Sequence, residues 1–163
     1  MLAEYVKEYK IAKIDPKAII SSSMMLLPHE GEVIKEVFKK KVFDRYGCEE
    51  VGLIASECEM HGGLHLNIDN LYIEFNTEEG SPASPGEFGK IIVSDLRNWA
   101  MPFIRYQVED VGVSSEKKCS CARGLPLMEG VVGRVADFLV KKDGSRVAVP
   151  LLTIRSLLPD RLG

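Results

Sequence analysis

Three cysteines and a histidine stand in two short groups, Cys58-Glu59-Met60-His61 and Cys119-Ser120-Cys121. Zinc takes four soft or borderline ligands in a tetrahedron, and two ligand pairs on separate tight loops are the usual way a chain supplies them. Cys58, His61, Cys119 and Cys121 would make a closed structural site with no open position for a substrate. His65 could replace His61, although it opens the expected strand Leu64 to Leu66 and Cys-x-x-His makes the better knuckle. The alternative is four unrelated residues. His29, isolated beside Pro28, reads as a solvated helix start.

Three further stretches place acids beside aromatic or basic residues. Asp44-Arg45-Tyr46-Gly47-Cys48-Glu49-Glu50 follows an expected strand. In an open α/β sheet ligands bind outside the carboxyl ends of strands, where a ring can stack on a base and a carboxylate can hold a metal between phosphates. Arg105 to Asp110 ends in a carboxylate able to grip ribose hydroxyls, and Gly133-Arg134-Val135-Ala136-Asp137 is a glycine turn presenting a guanidinium to ribose or phosphate oxygens. On spacing alone the simpler reading is favoured for each: a solvated loop, a charged strand end and a plain turn.

The elements that must position these residues change character along the chain. Leu2, Tyr5, Val6 and Tyr9 recur at helical spacing, Asp15-Pro16 punctuates, and Ala18-Ile19-Ile20 is a short apolar run. Pro28 opens a second helical pattern, with Val33, Ile34, Val37 and Phe38 on one face, and Val42-Phe43 begins another strand. This α-β-α-β start reads as a parallel piece of a doubly wound sheet. Beyond Gly47 the period falls to two: Leu71 to Phe75, Phe88 to Val93, Phe103 to Val108 and Phe138 to Val140 are strand candidates between the turn signals Glu79-Gly80, Ser84-Pro85-Gly86 and Asp143-Gly144. The expected fold class is therefore α/β followed by mainly antiparallel β, divided as 1–46, 47–132 and 133–163. The parallel unit has too few strands to cover both its faces, which predicts self-association, most simply as a homo-oligomer.

Composition narrows the partners. The 163 residues hold 21 Lys+Arg against 24 Asp+Glu, net −3, so no basic field exists to gather nucleic acid or anionic lipid. No run approaches the ~18 apolar residues of a membrane span, and the opening residues lack a signal-peptide core. With four cysteines and no secretory signal, the expectation is a cytoplasmic protein with free or metal-bound thiols.

Taken in order, the motifs carry a resemblance. Tyr46-Gly47-x-x-Glu50, Glu57-Cys58 through Gly63-Leu64-His65, Pro85-Gly86-Glu87-Phe88-Gly89, Met101-Pro102-x-Ile104-Arg105-Tyr106 ending in Asp110, Cys119-x-Cys121-x-Arg123-Gly124 and Gly133-Arg134 together resemble the phenylacetate-CoA ligase family, and more closely its coenzyme F synthetase and capsule-biosynthesis branch. The resemblance implies a partial ANL-type N-terminal domain with a small zinc-stabilised β subdomain, and the capsule-type members carry the same Cys-x-x-His and Cys-x-Cys pairs. It also implies two-step chemistry: a carboxylic acid attacks the α-phosphate of ATP, giving acyl-AMP and pyrophosphate, and a thiol such as CoA displaces AMP. By similarity Tyr46, with Gly47 beside it, would stack on adenine, Asp44 would receive the adenine amino group, Glu50 would ligate magnesium at the phosphates, Asp110 would hold the ribose hydroxyls, and Arg134 would reach ribose or phosphate.

The chain departs from the family pattern at Glu49, often Thr or Ser, at Glu109, commonly Gly, and at Ala136, usually an acid. The family's phosphate loop and its C-terminal domain with a catalytic lysine have no counterpart in these residues. The implied function is thus the central part of an AMP-forming ligase without full activity alone; the alternative is a zinc-stabilised nucleotide-binding or regulatory module without catalysis.

Overall fold

The structure, a computed structural model, describes residues 2–11, 14–135, 138–140, 142 and 146–148. Position Ala136, the turn at Asp143-Gly144 and residues 149–163 of the expected last unit, 133–163, lie outside the described residues.

Two helices and a short strand open the chain, as their periodicities predict. Helix α1 (Leu2–Glu8) buries Ala3 and Val6. It lies against α2 (Pro28–Phe38), to which Lys7 reaches across with a 2.7 Å ion pair to Glu36. Pro28 occupies the first turn, where its missing N–H costs nothing, and the Glu30 carboxylate accepts the Leu27 N–H at 3.1 Å. Lys39 ends the helix in the left-handed conformation, φ 54°, its N–H bonded to the Lys35 carbonyl. No residue of α2 is fully buried, so its apolar face is only half covered.

Between the helices lies β1 (Ile19–Ser21), which pairs in parallel with β2 (Val42–Cys48), Ile19 opposite Val42 and Ser21 opposite Asp44. Every later pairing in the main sheet is antiparallel. β3 is Gly52–Glu57, β4 Leu64–Leu66, β5 Leu71–Asn76, β6 Phe88–Asp95, β7 Tyr106–Ser115 and β8 Leu127–Arg134, in the order β1-β2-β3-β4-β8-β7-β6-β5. A separate hairpin joins β9 (Phe138–Val140) to β10 (Arg146–Ala148). The largest fully buried side chains are Ile54, Leu71, Ile91, Val93 and Met128, and consecutive residues such as Ile54 and Ala55 are buried, so parts of the sheet are covered on both faces. Among the described residues no helix is long and apolar enough to cross a membrane.

Several expectations are corrected. The predicted strand Phe103 to Val108 starts three residues later and runs on to Ser115, because Pro102 offers no N–H and Arg105 is left-handed at φ 49°. Asp44 to Cys48 are not a loop after a strand but most of β2 itself. Gly133-Arg134 is not a turn; it is the end of β8, with Gly133 opposite Val111 and Arg134 opposite Asp110. Strands β3 and β8 gave no signal in the sequence: the first lacks alternation, and Gly130 and Gly133 interrupt the second.

Glu109 sits in β7 at φ 64°, where β7 slips against β6 between Lys90 and Ile92. A left-handed L-residue costs roughly 1–2 kcal/mol, a penalty glycine does not share. Glu109→Gly is therefore expected to stabilise the chain by up to about 1 kcal/mol after the added freedom of the unfolded glycine is counted. A raised urea midpoint with an unchanged slope would show it; a lowered midpoint would show that the Gln107–Glu109 side-chain bond outweighs the backbone strain.

Candidate functional site

Tyr46 and Glu50 come from the hairpin β2–β3, and Tyr106 and Asp110 from β7. Each pair is an aromatic residue followed four positions later by an acid, and the fold crosses them. The Tyr46 hydroxyl donates to Asp110 Oδ2 at 2.9 Å, and the Tyr106 hydroxyl donates to Glu50 Oε1 at 2.6 Å. Arg134 brings its Nε to 3.7 Å from the other Asp110 oxygen, and its charge also acts on Glu50. Four of the residues singled out from the sequence, Tyr46, Glu50, Asp110 and Arg134, thus meet at one end of the sheet.

The electrostatics follow from burial and from these bonds. Burial, and then the Asp110 carboxylate, push the Tyr46 phenol far above its ordinary range, so Tyr46 is a committed donor. The Tyr106 hydroxyl holds Glu50 below the usual carboxylate range, so the exposed Glu50 is ionised at neutral pH and presents an oxygen surface to a hard cation. The Cys48 thiol, which the metal reading leaves over, also bonds Glu50, and burial pushes that thiol up.

Gly47 has a steric role. A β-bulge falls between Tyr46 and Gly47, and a Cβ at Gly47 would overlap the Gly52 carbonyl across the hairpin. Asp44 is half-buried, and its carboxylate accepts the Arg45 N–H at 2.9 Å, while its own N–H donates to Glu57 Oε2. Arg105 is turned to β5, where its guanidinium makes two 3.2 Å bonds to Glu74.

The sulfur ligands lie at the opposite end of the β2–β3 hairpin. Cys58, Cys119, Cys121 and His65 bring one donor atom each within 4.8 Å of one another. Cys58 and Cys119 Sγ are 3.5 Å apart, and Cys121 Sγ is 3.4 Å from His65 Nε2. Tetrahedral zinc with bonds near 2.3 Å needs ligand separations of about 3.7 Å, so the donor set fits the ion. Backbone N–H groups point at the sulfurs: Met60 N–H reaches Cys58 Sγ at 3.4 Å, and Arg123 N–H holds the Cys121 thiol down at about 7. N–H bonds to sulfur favour the thiolate, the form that binds metal.

The histidine of this group is His65, where the better-knuckle argument favoured His61. The His61 N–H closes the turn on the Cys58 carbonyl, and its ring turns to Glu57 Oε2 at 3.1 Å and to the Phe43 ring at 5.1 Å. His65 enters because all three residues of β4 are buried between β3 and β8, and its partner Leu127 follows the loop that carries Cys119 and Cys121. No spacing rule marks His65; the strand pairing does. Tyr106 lies within the Met101–Tyr106 motif, and no signal in the sequence gives it a partner; its bond to Glu50 appears only in the fold.

No sequence-family profile matches the chain. It is similar in sequence to phenylacetate-coenzyme A ligases: 28% identical over 122 residues to that of Thermus thermophilus and 33% over 101 residues to that of Escherichia coli. These alignments cover 70% and 60% of this chain but only 27% and 22% of the relatives, so the chain spans about a quarter of their length. Its fold is similar to parts of solved CoA ligases. A 2-hydroxyisobutyryl-CoA ligase in the postadenylation state, in complex with an adenylate, superposes with a TM-score of 0.76 at 22% identity, covering 90% of this chain and 33% of the other. An anthranilate CoA ligase in complex with anthranoyl-AMP gives 0.61 at 16% identity over 79% of this chain and 26% of its own.

The environment of Asp44 makes a prediction about pH. Burial first, and Glu57 second, raise its carboxyl above the ordinary value. A carboxyl that binds its proton more tightly when folded lowers stability as pH rises from its unfolded value through its folded one. Asp44→Asn, which keeps an oxygen for the Arg45 N–H, is expected to stabilise the chain at pH 7 and to change little at pH 3. Urea titrations at the two pH values check it, and an equal effect at both would refute it.

Proposed function

We propose that this chain, similar in sequence to phenylacetate-CoA ligases, is a segment of an AMP-forming carboxylate–CoA ligase and supplies one wall of its nucleotide site. The observation that supports this most is the crossing of Tyr46 with Asp110 and Tyr106 with Glu50 beside Arg134. Tyr46 and Asp110, which the resemblance assigns to base and ribose, are 64 positions apart and hydrogen-bonded, and Glu50, assigned to the metal, lies in the field of the same Arg134. Asp110 would accept the ribose hydroxyls on an oxygen pair already oriented by Tyr46 and Arg134. Tyr46 would lay its ring against adenine while its hydroxyl stays on Asp110, with Asp44 toward the adenine amino group. Glu50 would hold magnesium, which neutralises charge gathering on the departing pyrophosphate. Arg134, largely exposed beside Asp110, would steady ribose or phosphate oxygens.

The reaction of that site is attack of a carboxylate oxygen on the α-phosphorus, with pyrophosphate leaving, then thioester formation as a CoA thiol displaces AMP. Groups positioned for the developing phosphate charge commonly contribute ~3 kcal/mol each. A polypeptide of these 163 residues, with no phosphate loop and no C-terminal lysine, is therefore expected to bind AMP weakly, Kd on the order of millimolar. It should release no pyrophosphate at an enzymatic rate. AMP-induced NMR shifts at Tyr46 and Asp110 test the nucleotide wall; their absence near saturation would refute it.

Zinc in the Cys58, His65, Cys119 and Cys121 cluster is the second part of the reading, supported by the donor geometry. Its role is structural, since four protein ligands leave no open position. It would join the β3–β4 connection to the β7–β8 loop, two segments about sixty residues apart. Elemental analysis should find one zinc per chain. His65→Ala should lose it and lower the melting temperature, whereas His61→Ala should keep it. The reverse pattern would restore His61 as the ligand, and no zinc in any variant would remove the metal.

A further inference from the structure

Tyr106 is assigned no role by the nucleotide reading, yet it holds one of that reading's principal groups. Its hydroxyl lies 2.6 Å from Glu50 Oε1, a short charge-assisted bond of the strong kind. Glu50 is an exposed side chain in the turn between β2 and β3, and its other bonds, to the Cys48 thiol and its own backbone, are local to that turn. Tyr106 itself cannot swing: its ring packs against the core and meets the Phe103 ring edge-on, centroids 4.9 Å apart. A rigid phenol on β7 therefore fixes the orientation of a carboxylate on another element. A carboxylate accepts about four hydrogen bonds or ligands, so the Tyr106, Cys48 and Glu50 backbone bonds leave room for a cation.

We propose that Tyr106 is a positioning residue for the metal–phosphate end of the site, holding Glu50 ready to receive a divalent cation that bridges nucleotide phosphates. The inference rests on the nucleotide reading above and adds to it. Magnesium uses one or two carboxylates plus substrate phosphates and demands near-ideal geometry, so the orientation of a single acid matters more for it than for larger cations. The partner that orients a metal ligand typically contributes 10–100-fold to metal affinity. The mirror pair, Tyr46 on Asp110, would act on the ribose end and leave the metal untouched.

The test compares the wild-type chain with Tyr106→Phe, which keeps the ring and its packing. NMR titrations would measure AMP without metal, and ATP with and without magnesium. In wild type, magnesium should tighten ATP binding. In Tyr106→Phe that gain should fall roughly tenfold, while AMP binds within about twofold and the NMR spectrum shows the chain still folded. AMP binding intact with an unaltered magnesium gain in the variant would overturn the positioning role and leave the nucleotide reading standing. A wild-type chain that binds AMP but shows no magnesium gain would overturn it as well. Failure of wild type to bind AMP at all would overturn both.

Discussion

The antiparallel ladder of β7 on β8 sets where Asp110, Arg134, Cys119 and Cys121 lie, because its two ends carry the two candidate sites. At one end its register sets Asp110 opposite Arg134, so an acid and a guanidinium from distant parts of the chain share one place. At the other end Ser115 faces Leu127, and Leu127 faces His65 on β4. The connection between the two strands carries Cys119 and Cys121 and so hangs beside that histidine. The β2–β3 hairpin repeats the arrangement, with Glu50 in its turn and Cys58 just past its far end. The metal-ligand group Cys58, His65, Cys119 and Cys121 therefore gathers at one end of these strands, and Glu50, Asp110 and Arg134 at the other.

This division has a mechanical meaning. Long antiparallel strands joined by loops gain little order from the loops themselves, and a closed tetrahedral site at one end would hold the strands in register there. The opposite end is left open to solvent, where Glu50 is exposed and Arg134 is mostly so. Such a tie at one end with access at the other would suit a binding wall, since groups that must meet a ligand are better placed by the scaffold than by the ligand. The crossed tyrosine–acid bonds extend the same logic into the site, each carboxylate being oriented by a phenol from the other element.

Close backbone approach is the second constraint. Gly47 allows the hairpin to fold on itself at the bulge beside Tyr46, and Gly112 allows β7 to pass the Ile91 and Met128 side chains, where a Cβ would come within 2.8 and 2.9 Å. Glu109 occupies a left-handed position next to Asp110 with a full side chain. A glycine at this position would hold the same φ without the steric cost.

The sequence by itself determined the elements whose signals are local: α1 and α2 from their 3.6-residue spacing, Pro28 as a helix start, the strands at Leu71, Phe88 and Phe138, and the parallel pairing of the first two strands from the α-β-α-β order. It also determined the residue types of both sites, because acids, phenols and thiols at motif spacing are visible without coordinates. Tertiary structure alone decided the rest. β8 carries glycines where alternation should be, so neither its existence nor its place between β4 and β7 could be read, and with it went the reason His65 rather than His61 joins the cysteines. The pairing of Tyr106 with Glu50 is equally invisible, because a hydrogen bond between residues fifty-six apart depends on strand order and register, which no local pattern encodes.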